Sequence, residues 1–264
     1  MKAFRYIIAV LLVACAIGLL CYQYFVEQNL EKSDILKAAV IILGAIASLF
    51  RAPRQGTPRK QDLHSAYGHL IGKAFTDNPK LEKQFYQALV LFNKGRYQNT
   101  ITQLQKLYPQ TTRSADRFAI SAFVGICCSR MGLYREAIHN YTQALQIQEH
   151  STVISNMGSC YQELGEMETA AECYKRAIRA DSNNPNAYNN LSQLHIMMGE
   201  YELALPYAEQ AVALNGKFSP ALNAMTICHA MLGNESEYDT YFRRAVACGS
   251  DGKGLRAYIE NLKS

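Results

Sequence analysis

The chain lacks the short motifs that carry most enzyme chemistry. Its 264 residues contain no HExxH zinc motif, no GxSxG nucleophile turn, no Walker phosphate loop and no GxGxxG dinucleotide loop. Acidic residues such as Glu136, Glu163 and Glu168 are spread over turn and surface places and do not converge on one point. We therefore expect no enzymatic activity, no cofactor, no metal and no small-molecule substrate.

Paired cysteines are also missing. No CxxC motif is present, and the eight cysteines are scattered over positions 15, 21, 127, 128, 160, 173, 228 and 248. We interpret them as small buried hydrophobes kept reduced in a cytosol, not as zinc or redox sites. His195 and His229 stand in equivalent places and could stack on each other. A metal site usually has three or four protein ligands and only these two are in view, so we interpret them as packing side chains.

Excess charge of either sign is missing from most of the chain. Residues 1–60 hold eight Lys and Arg against three acids, which accounts for the whole net charge of +5. Residues 61–264 balance at 19 against 19. A nucleic-acid-binding domain would present a clustered basic face, so we expect no nucleic-acid partner.

Two apolar runs occupy the N-terminal end. Residues 6–25 hold one strongly polar side chain, Gln23, and are long enough for a helix that spans a bilayer. Residues 35–50 are shorter and carry Lys37, so this run either spans the membrane with Lys37 reaching the headgroups or forms a short interfacial helix. We predict a membrane anchor over residues 1–50, made of a transmembrane helical hairpin.

Charge predicts the orientation of this hairpin. Basic residues precede the first run and follow the second, whereas the connecting VEQNLEKSD has three acids and one lysine. By the positive-inside rule both ends stay in the cytoplasm, with residues 51–60 as a basic juxtamembrane linker. The alternative is an exported lipoprotein or assembly factor on the secreted side, because LVAC, which ends at Cys15, fits a loose lipoprotein cleavage pattern.

The rest of the chain repeats itself. GLYREAIHNYTQAL begins at Gly132, and similar segments begin at Gly165, Gly199 and Gly233, at steps of 33, 34 and 34 residues. In the copy that begins at residue 151, small residues at 158 and 170 should let two helices approach closely around a turn at Gly165. One such unit cannot bury its own apolar surface, so the units must stack.

These residues resemble the tetratricopeptide repeat family, whose signature is a small residue and Tyr on the first helix, Gly at the turn, then Ala, an aromatic and Ala on the second. With the apolar N-terminal runs, the chain is similar to bacterial membrane-anchored members of that family. The resemblance implies an all-α, right-handed superhelical solenoid over residues 61–264. Its four clear repeats cover 118–150, 151–184, 185–218 and 219–252, after a degenerate copy at 81–117 and before a capping helix at 253–263.

An additional helix is predicted over residues 61–75, which could cap the array or lie on the membrane. A longer loop is expected around Pro109 to Ser114, because the turn glycines Gly95 and Gly132 are 37 residues apart.

The resemblance also implies a function. Repeat arrays of this family commonly bind a protein or peptide on the concave face formed by their first helices. The predicted function is a membrane-tethered interaction scaffold at the cell membrane, with its repeats on the cytoplasmic side and an extended, largely uncharged segment as ligand. The predicted groove residues are Thr152, Ser155, Asn156, Ser159, Gln162, Asn186, Asn189, Asn190, Gln193 and Asn223, continued by Ile196 and Ile227.

The predicted topology can be tested directly. A reporter fused after Ser264 should be active only in the cytoplasm, and the protein should stay with the membrane during alkaline extraction, because both basic flanks are held on that side. Release into the alkaline supernatant would contradict an integral membrane anchor.

Overall fold

The protein was analysed as a computed structural model, which describes residues 58–263. Within that range the chain forms twelve α-helices and no strand, so the all-α prediction is confirmed for this part. The predicted segments 6–25 and 35–50, and residues 51–57 of the linker, lie outside the described residues. Between residues 58 and 263, no helix combines the length and the apolar character needed to cross a membrane.

The helices follow one another with short connections. They are α1 Lys60–Ile71, α2 Pro79–Asn93, α3 Tyr97–Leu107, α4 Ser114–Arg130, α5 Tyr134–Ile147, α6 Ser151–Glu163, α7 Met167–Ala180, α8 Pro185–Met197, α9 Tyr201–Leu214, α10 Ser219–Met231, α11 Glu235–Ala247 and α12 Gly252–Lys263. From α2 to α11 they form five antiparallel pairs, and each pair consists of a first and a second helix. The single-turn 3₁₀ helix Tyr108–Gln110 lies in the connection before α4, and Ser114 is already helical.

The tight turn inside each pair depends on glycine. The five turn glycines, from Gly95 to Gly233, have φ angles between +71° and +78°, a region that side chains with a Cβ disfavour. At Gly165 the next amide, Glu166 N, donates to Tyr161 O at 2.9 Å and closes the end of α6. This bond is the six-residue closure of a Schellman motif, which ends one helix and directs the chain into the next.

Within a pair, small residues on the first helix receive a tyrosine of the second. Tyr141 lies against Gly125 and Tyr174 lies against Gly158, and both tyrosines are 1% exposed. The atoms nearest to a Cβ at Gly158 belong to Tyr174 and Cys173, not to Ala170 as the small-residue pattern suggested. The close approach is therefore made by glycine and an aromatic ring.

Helix α1 packs on the repeats. It contacts the first helices α2 and α4 and buries Leu63, Leu70 and Ile71. The helix ends at Ile71, four residues earlier than predicted, because Gly72 and Phe75 both adopt positive φ. Phe75 then turns inward, where it is 1% exposed and its amide donates to Asp116 Oδ1 at 2.6 Å.

Helix α12 closes the other end. Leu255 and Ile259 are buried against the last pair, whereas the residues between them are exposed. This pattern covers the apolar side of α10 and α11 and presents a polar surface to solvent.

The glycine and tyrosine contact should be sensitive to a single methyl group. In Gly125→Ala the added Cβ would lie 2.6 Å from two ring carbons of the buried Tyr141. We expect this overpacking to lower the free energy of unfolding by about 1–3 kcal/mol. Urea unfolding of the full chain, followed by circular dichroism, measures the change.

Gly68→Ala is the matched control, because it makes the same change in the middle of α1 where the nearest atoms are 3.7 Å away. Alanine is favoured over glycine in a helix by about 1 kcal/mol, so this variant should be at least as stable as the parent. Equal losses in the two variants would contradict the proposed contact.

Candidate functional site

One repeat place forms a row along the face where the first helices pack side by side. It lies ten residues before each turn glycine and is occupied in chain order by Phe85, Ala122, Ser155, Asn189 and Asn223. Helix α8 packs against both α6 and α10, so successive members of the row are neighbours. The row is apolar in the first two pairs and polar in the last three.

Helix α1 covers the apolar part. The Tyr67 ring meets the rings of Phe92 and Phe123 edge-on at 5.7 and 5.5 Å, and Phe85 beneath is 0% exposed. His64 Nδ1 lies 3.1 Å from the Tyr86 hydroxyl, which adds a polar contact at the edge. Within residues 58–263, α1 thus occupies the N-terminal part of the face, and the part formed by α6, α8 and α10 is left open.

The predicted groove residues are all on these open first helices, but they differ in exposure. Ser155 and Asn189 are each only 4% exposed, while Asn186 and Gln193 are exposed. The half-buried members are Thr152, Asn156, Ser159, Gln162, Asn190 and Asn223. The two residues that continue the predicted groove, Ile196 and Ile227, are buried at 4% and 8% exposure.

The two most buried members are short of hydrogen bonds. Within the described residues, Ser155 Oγ and Asn189 Oδ1 are shielded from solvent and have no partner. The third polar member of the row differs, because Asn223 Oδ1 accepts from Ser250 Oγ at 2.7 Å. A buried polar atom without a partner costs free energy, so Ser155 and Asn189 are two unsatisfied polar side chains beneath the open face.

Asn186 is tied to the helix end instead of being free for a ligand. Its amide and its side-chain Nδ2 both donate to Asn184 Oδ1, at 3.0 and 3.3 Å. Asn184 in turn donates to Ser151 Oγ at 3.0 Å, at the start of α6. This network caps α8, so the structure places Asn186 in a cap.

Ser159 and Gln162 belong to a hydrogen-bonded chain that includes a residue missed at the sequence level. The Tyr174 hydroxyl donates to Gln162 Oε1 at 3.1 Å and lies 3.1 Å from Ser159 Oγ. Gln162 Nε2 donates to Met197 Sδ at 3.3 Å on the next first helix. Burial raises the pKa of Tyr174 to about 12, so its hydroxyl keeps the proton that it donates.

Asn156 and Asn190 stand in the adjacent repeat place, nine residues before the turn glycine. Each is half-buried, and neither side chain is hydrogen-bonded to another described residue. A carboxamide can donate to a peptide carbonyl and accept from a peptide N–H at the same time. These two side chains are therefore free bidentate groups at equivalent places of the open face.

A pocket adjoins the C-terminal end of this face. Its volume is about 430 Å³, and we call it the C-terminal pocket. It is lined by Gln193, Ile196, Met197, Asn223, Ala224, Ile227, Asp251, Gly254, Leu255 and Tyr258. Sequence reasoning found the contributions of α8 and α10 but assigned α12 only a capping role. The sequence feature that pointed to α12 was Tyr258, a large aromatic residue on a helix expected to present a polar face. In the structure Tyr258 is 43% exposed.

The histidines are packing groups. His195 stacks on Tyr207 with ring centroids 5.7 Å apart, and His229 stacks on Tyr241 at 5.3 Å. Each therefore stacks on a tyrosine of its own repeat and not on the other histidine. Across residues 58–263, no group of three or more His, Cys, Asp or Glu is placed to hold a metal ion.

The described cysteines are also free of partners for redox chemistry. All six are unpaired, and five of them are buried. Burial raises the pKa of the Cys127 and Cys228 thiols to about 12, which keeps them protonated and unreactive. Cys248 is the most accessible of the six.

Comparison with known proteins agrees with this architecture. The tetratricopeptide repeat family matches residues 149–216, which cover α6 to α9. The photosystem I assembly protein Ycf3 of Synechococcus sp. (strain CC9605) is 32% identical over 94 residues, which are 34% of this chain and 54% of that protein. The chain thus spans about half the length of the curated relatives that it matches.

Two solved structures have the same fold. PilF of Pseudomonas aeruginosa superposes with a TM-score of 0.59 at 16% identity, over 69% of this chain and 83% of that one. YrrB, described as a tetratricopeptide repeat protein with an unusual peptide-binding site, gives 0.52 at 16% identity, over 72% and 97%. The family match and the fold together support a tetratricopeptide repeat protein.

Thiol reactivity tests the burial of the cysteines. In a full chain carrying Cys15→Ser and Cys21→Ser, Ellman's reagent at pH 8 should modify one thiol while the protein is folded and the remaining five after unfolding. Cys248→Ser should abolish the folded-state reaction, whereas Cys128→Ser, a change of the same kind at a buried place, should leave it unchanged. Rapid modification of two or more thiols in the folded protein would contradict this packing.

Proposed function

We propose that the protein is a membrane-tethered interaction scaffold that binds an extended protein segment across the open first helices α6, α8 and α10. It acts by binding and not by catalysis. The observation that carries the proposal is the pair of buried acceptors, Ser155 Oγ and Asn189 Oδ1, which lack donors at equivalent places of adjacent repeats. An extended peptide offers backbone N–H groups along its length, and these are the donors that such a row would need.

The free carboxamides support the same ligand class. Asn156 and Asn190 lie beside the two buried acceptors and have no hydrogen bond of their own within the described residues. Together the four side chains offer acceptors and donors but no charge. The ligand is therefore a segment recognised through its backbone, bound with little dependence on salt.

The N-terminal residues supply the tether in this proposal. The apolar runs 6–25 and 35–50 hold the chain in a membrane, and the basic linker keeps the repeats on the cytoplasmic side. This part of the proposal is supported by the sequence pattern alone. Attachment confines the binding face to the membrane surface, which raises its effective concentration towards partners in the same membrane.

The relatives favour an assembly role for such a scaffold. The Synechococcus protein, which shares a region of 94 residues with this chain, is named a photosystem I assembly protein. We propose by analogy that the bound segment belongs to a subunit of a multisubunit complex. The scaffold would hold that segment until its final partner replaces it.

Site-specific crosslinking followed by affinity measurement tests this function. A photoreactive phenylalanine at Asn190 of the full chain should crosslink to a partner segment in cells, whereas one at Glu209, exposed on α9, should not. Mass spectrometry of the crosslink identifies the segment. Asn156→Ala combined with Asn190→Ala should then weaken its binding by about 10- to 30-fold, because two hydrogen bonds of about 1 kcal/mol each are removed.

Gln210→Ala is the matched control, since it also truncates a carboxamide but on the exposed side of α9. It should leave the affinity unchanged, and neither variant should change the melting temperature. Raising NaCl from 50 to 500 mM should change the affinity of the parent by less than about 2-fold. An unaltered affinity in the double variant would place the site elsewhere.

A further inference from the structure

The C-terminal pocket indicates which side chains the ligand contains, whereas the row of acceptors concerns only its backbone. It is formed where the first helices α8 and α10 meet the last helix α12, and its volume of about 430 Å³ lies within the range of small-ligand sites. It shares Asn223 and Gln193 with the open face, so a segment lying along that face reaches the pocket. The inference below rests on the proposed function, because it concerns the same ligand.

The floor of the pocket is apolar. Ile196, Ile227 and Leu255 are each at most 8% exposed, yet all three contribute to its lining. The rim is apolar as well, because Met197 and Tyr258 are 55% and 43% exposed there. Their position around a concavity suits the burial of one further apolar group.

The polar part of the lining is fixed by the fold. Asn223 Oδ1 accepts from Ser250 Oγ at 2.7 Å, and Ser250 also lies 2.6 Å from Ser219 Oγ. These bonds hold the loop before α12 against the start of α10. This part of the pocket is therefore already formed without a ligand, which lowers the free-energy cost of ordering it on binding.

One charged side chain lines the pocket. Asp251 Oδ1 accepts from the amide of Lys253 at 3.1 Å, which orients the carboxylate at the start of α12. None of the ion pairs of residues 58–263 includes Asp251. The nearby Arg256 lies over the Phe242 ring at 4.5 Å, away from this role. The edge of the pocket therefore carries a carboxylate that caps α12 and has no cationic side chain of the described residues paired with it.

We propose that the C-terminal pocket binds one aliphatic or aromatic side chain of the partner segment, and that the adjoining residue of the segment is a lysine or arginine that pairs with Asp251. The apolar side chain displaces water from the floor formed by Ile196, Ile227 and Leu255. The cation remains at the solvent edge, where the pairing adds specificity more than affinity.

A small probe tests the pocket without the rest of the segment. N-acetyl-Leu-Lys-amide should shift the methyl resonances of Ile196, Ile227 and Leu255 in the methyl-labelled full chain. N-acetyl-Leu-Glu-amide should shift the same methyls with an affinity about 2- to 5-fold lower, because it places like charge beside Asp251. N-acetyl-Ser-Lys-amide should leave them unshifted. Equal responses to the serine and leucine probes, or no response to the lysine-containing leucine probe, would overturn the proposal.

Two variants assign the contributions of rim and charge. Tyr258→Ala removes an exposed ring and should weaken both leucine probes by about 5-fold, as expected when one aromatic contact is lost. Asp251→Asn keeps an oxygen to accept from the Lys253 amide, and it should abolish the preference for lysine over glutamate. Asp239→Asn, the same change at an exposed place on α11, should preserve that preference. A lysine preference that survives in Asp251→Asn would refute the charge pairing.

The outcome for the crosslinked segment separates this proposal from the function on which it rests. If that segment loses affinity with Asn156→Ala and Asn190→Ala but not with Tyr258→Ala or Asp251→Asn, the pocket proposal fails and the groove stands. If the probes shift the pocket methyls while the double variant binds the segment normally, the pocket proposal stands and the proposed groove function fails.

Discussion

The contact between a glycine on the first helix and a tyrosine on the second is the constraint on which the pairs α4–α5 and α6–α7 depend. Gly125 with Tyr141, and Gly158 with Tyr174, leave no room for a Cβ between the two helices. The ring fills the space that a glycine opens, and the pair becomes one rigid unit. Rigid units of equal size stack with the same displacement from one repeat to the next. This regular displacement places Ser155, Asn189 and Asn223 in one row.

The same face of the array serves two purposes along its length. Under α1 the row is Phe85 and Ala122, and the chain covers these apolar positions with its own helix. Beyond α1 the row becomes serine and asparagine. An apolar helix of the same chain could not form hydrogen bonds with these side chains. The change in polarity thus coincides with the change from a covered surface to an open one. In the proposed function, an extended segment with backbone donors occupies the open part, and an apolar side chain occupies the pocket at its end.

The candidate site was only partly predictable. The spacing of the turn glycines is enough to identify Asn156 and Asn190 as equivalent residues on first helices, because helical periodicity fixes which face a residue occupies. Spacing does not reveal that Asn186 is held in a helix cap by Asn184, or that Tyr174 links Ser159 to Gln162, since these bonds join residues across turns and helices. The burial of Ser155 and Asn189 depends on how closely neighbouring helices approach, which no single helix specifies.

Local signals in the sequence specify the helical pairs and their turns, because glycine at positive φ, small residues on the first helices and apolar periodicity are requirements that each repeat meets separately. The tertiary structure decided three matters that depend on distant segments. It placed α1 across α2 and α4, it stacked His195 and His229 on Tyr207 and Tyr241, and it used α12 as a pocket wall. Each of these contacts joins surfaces whose apolar patterns fit several partners, so only the packed array selects one.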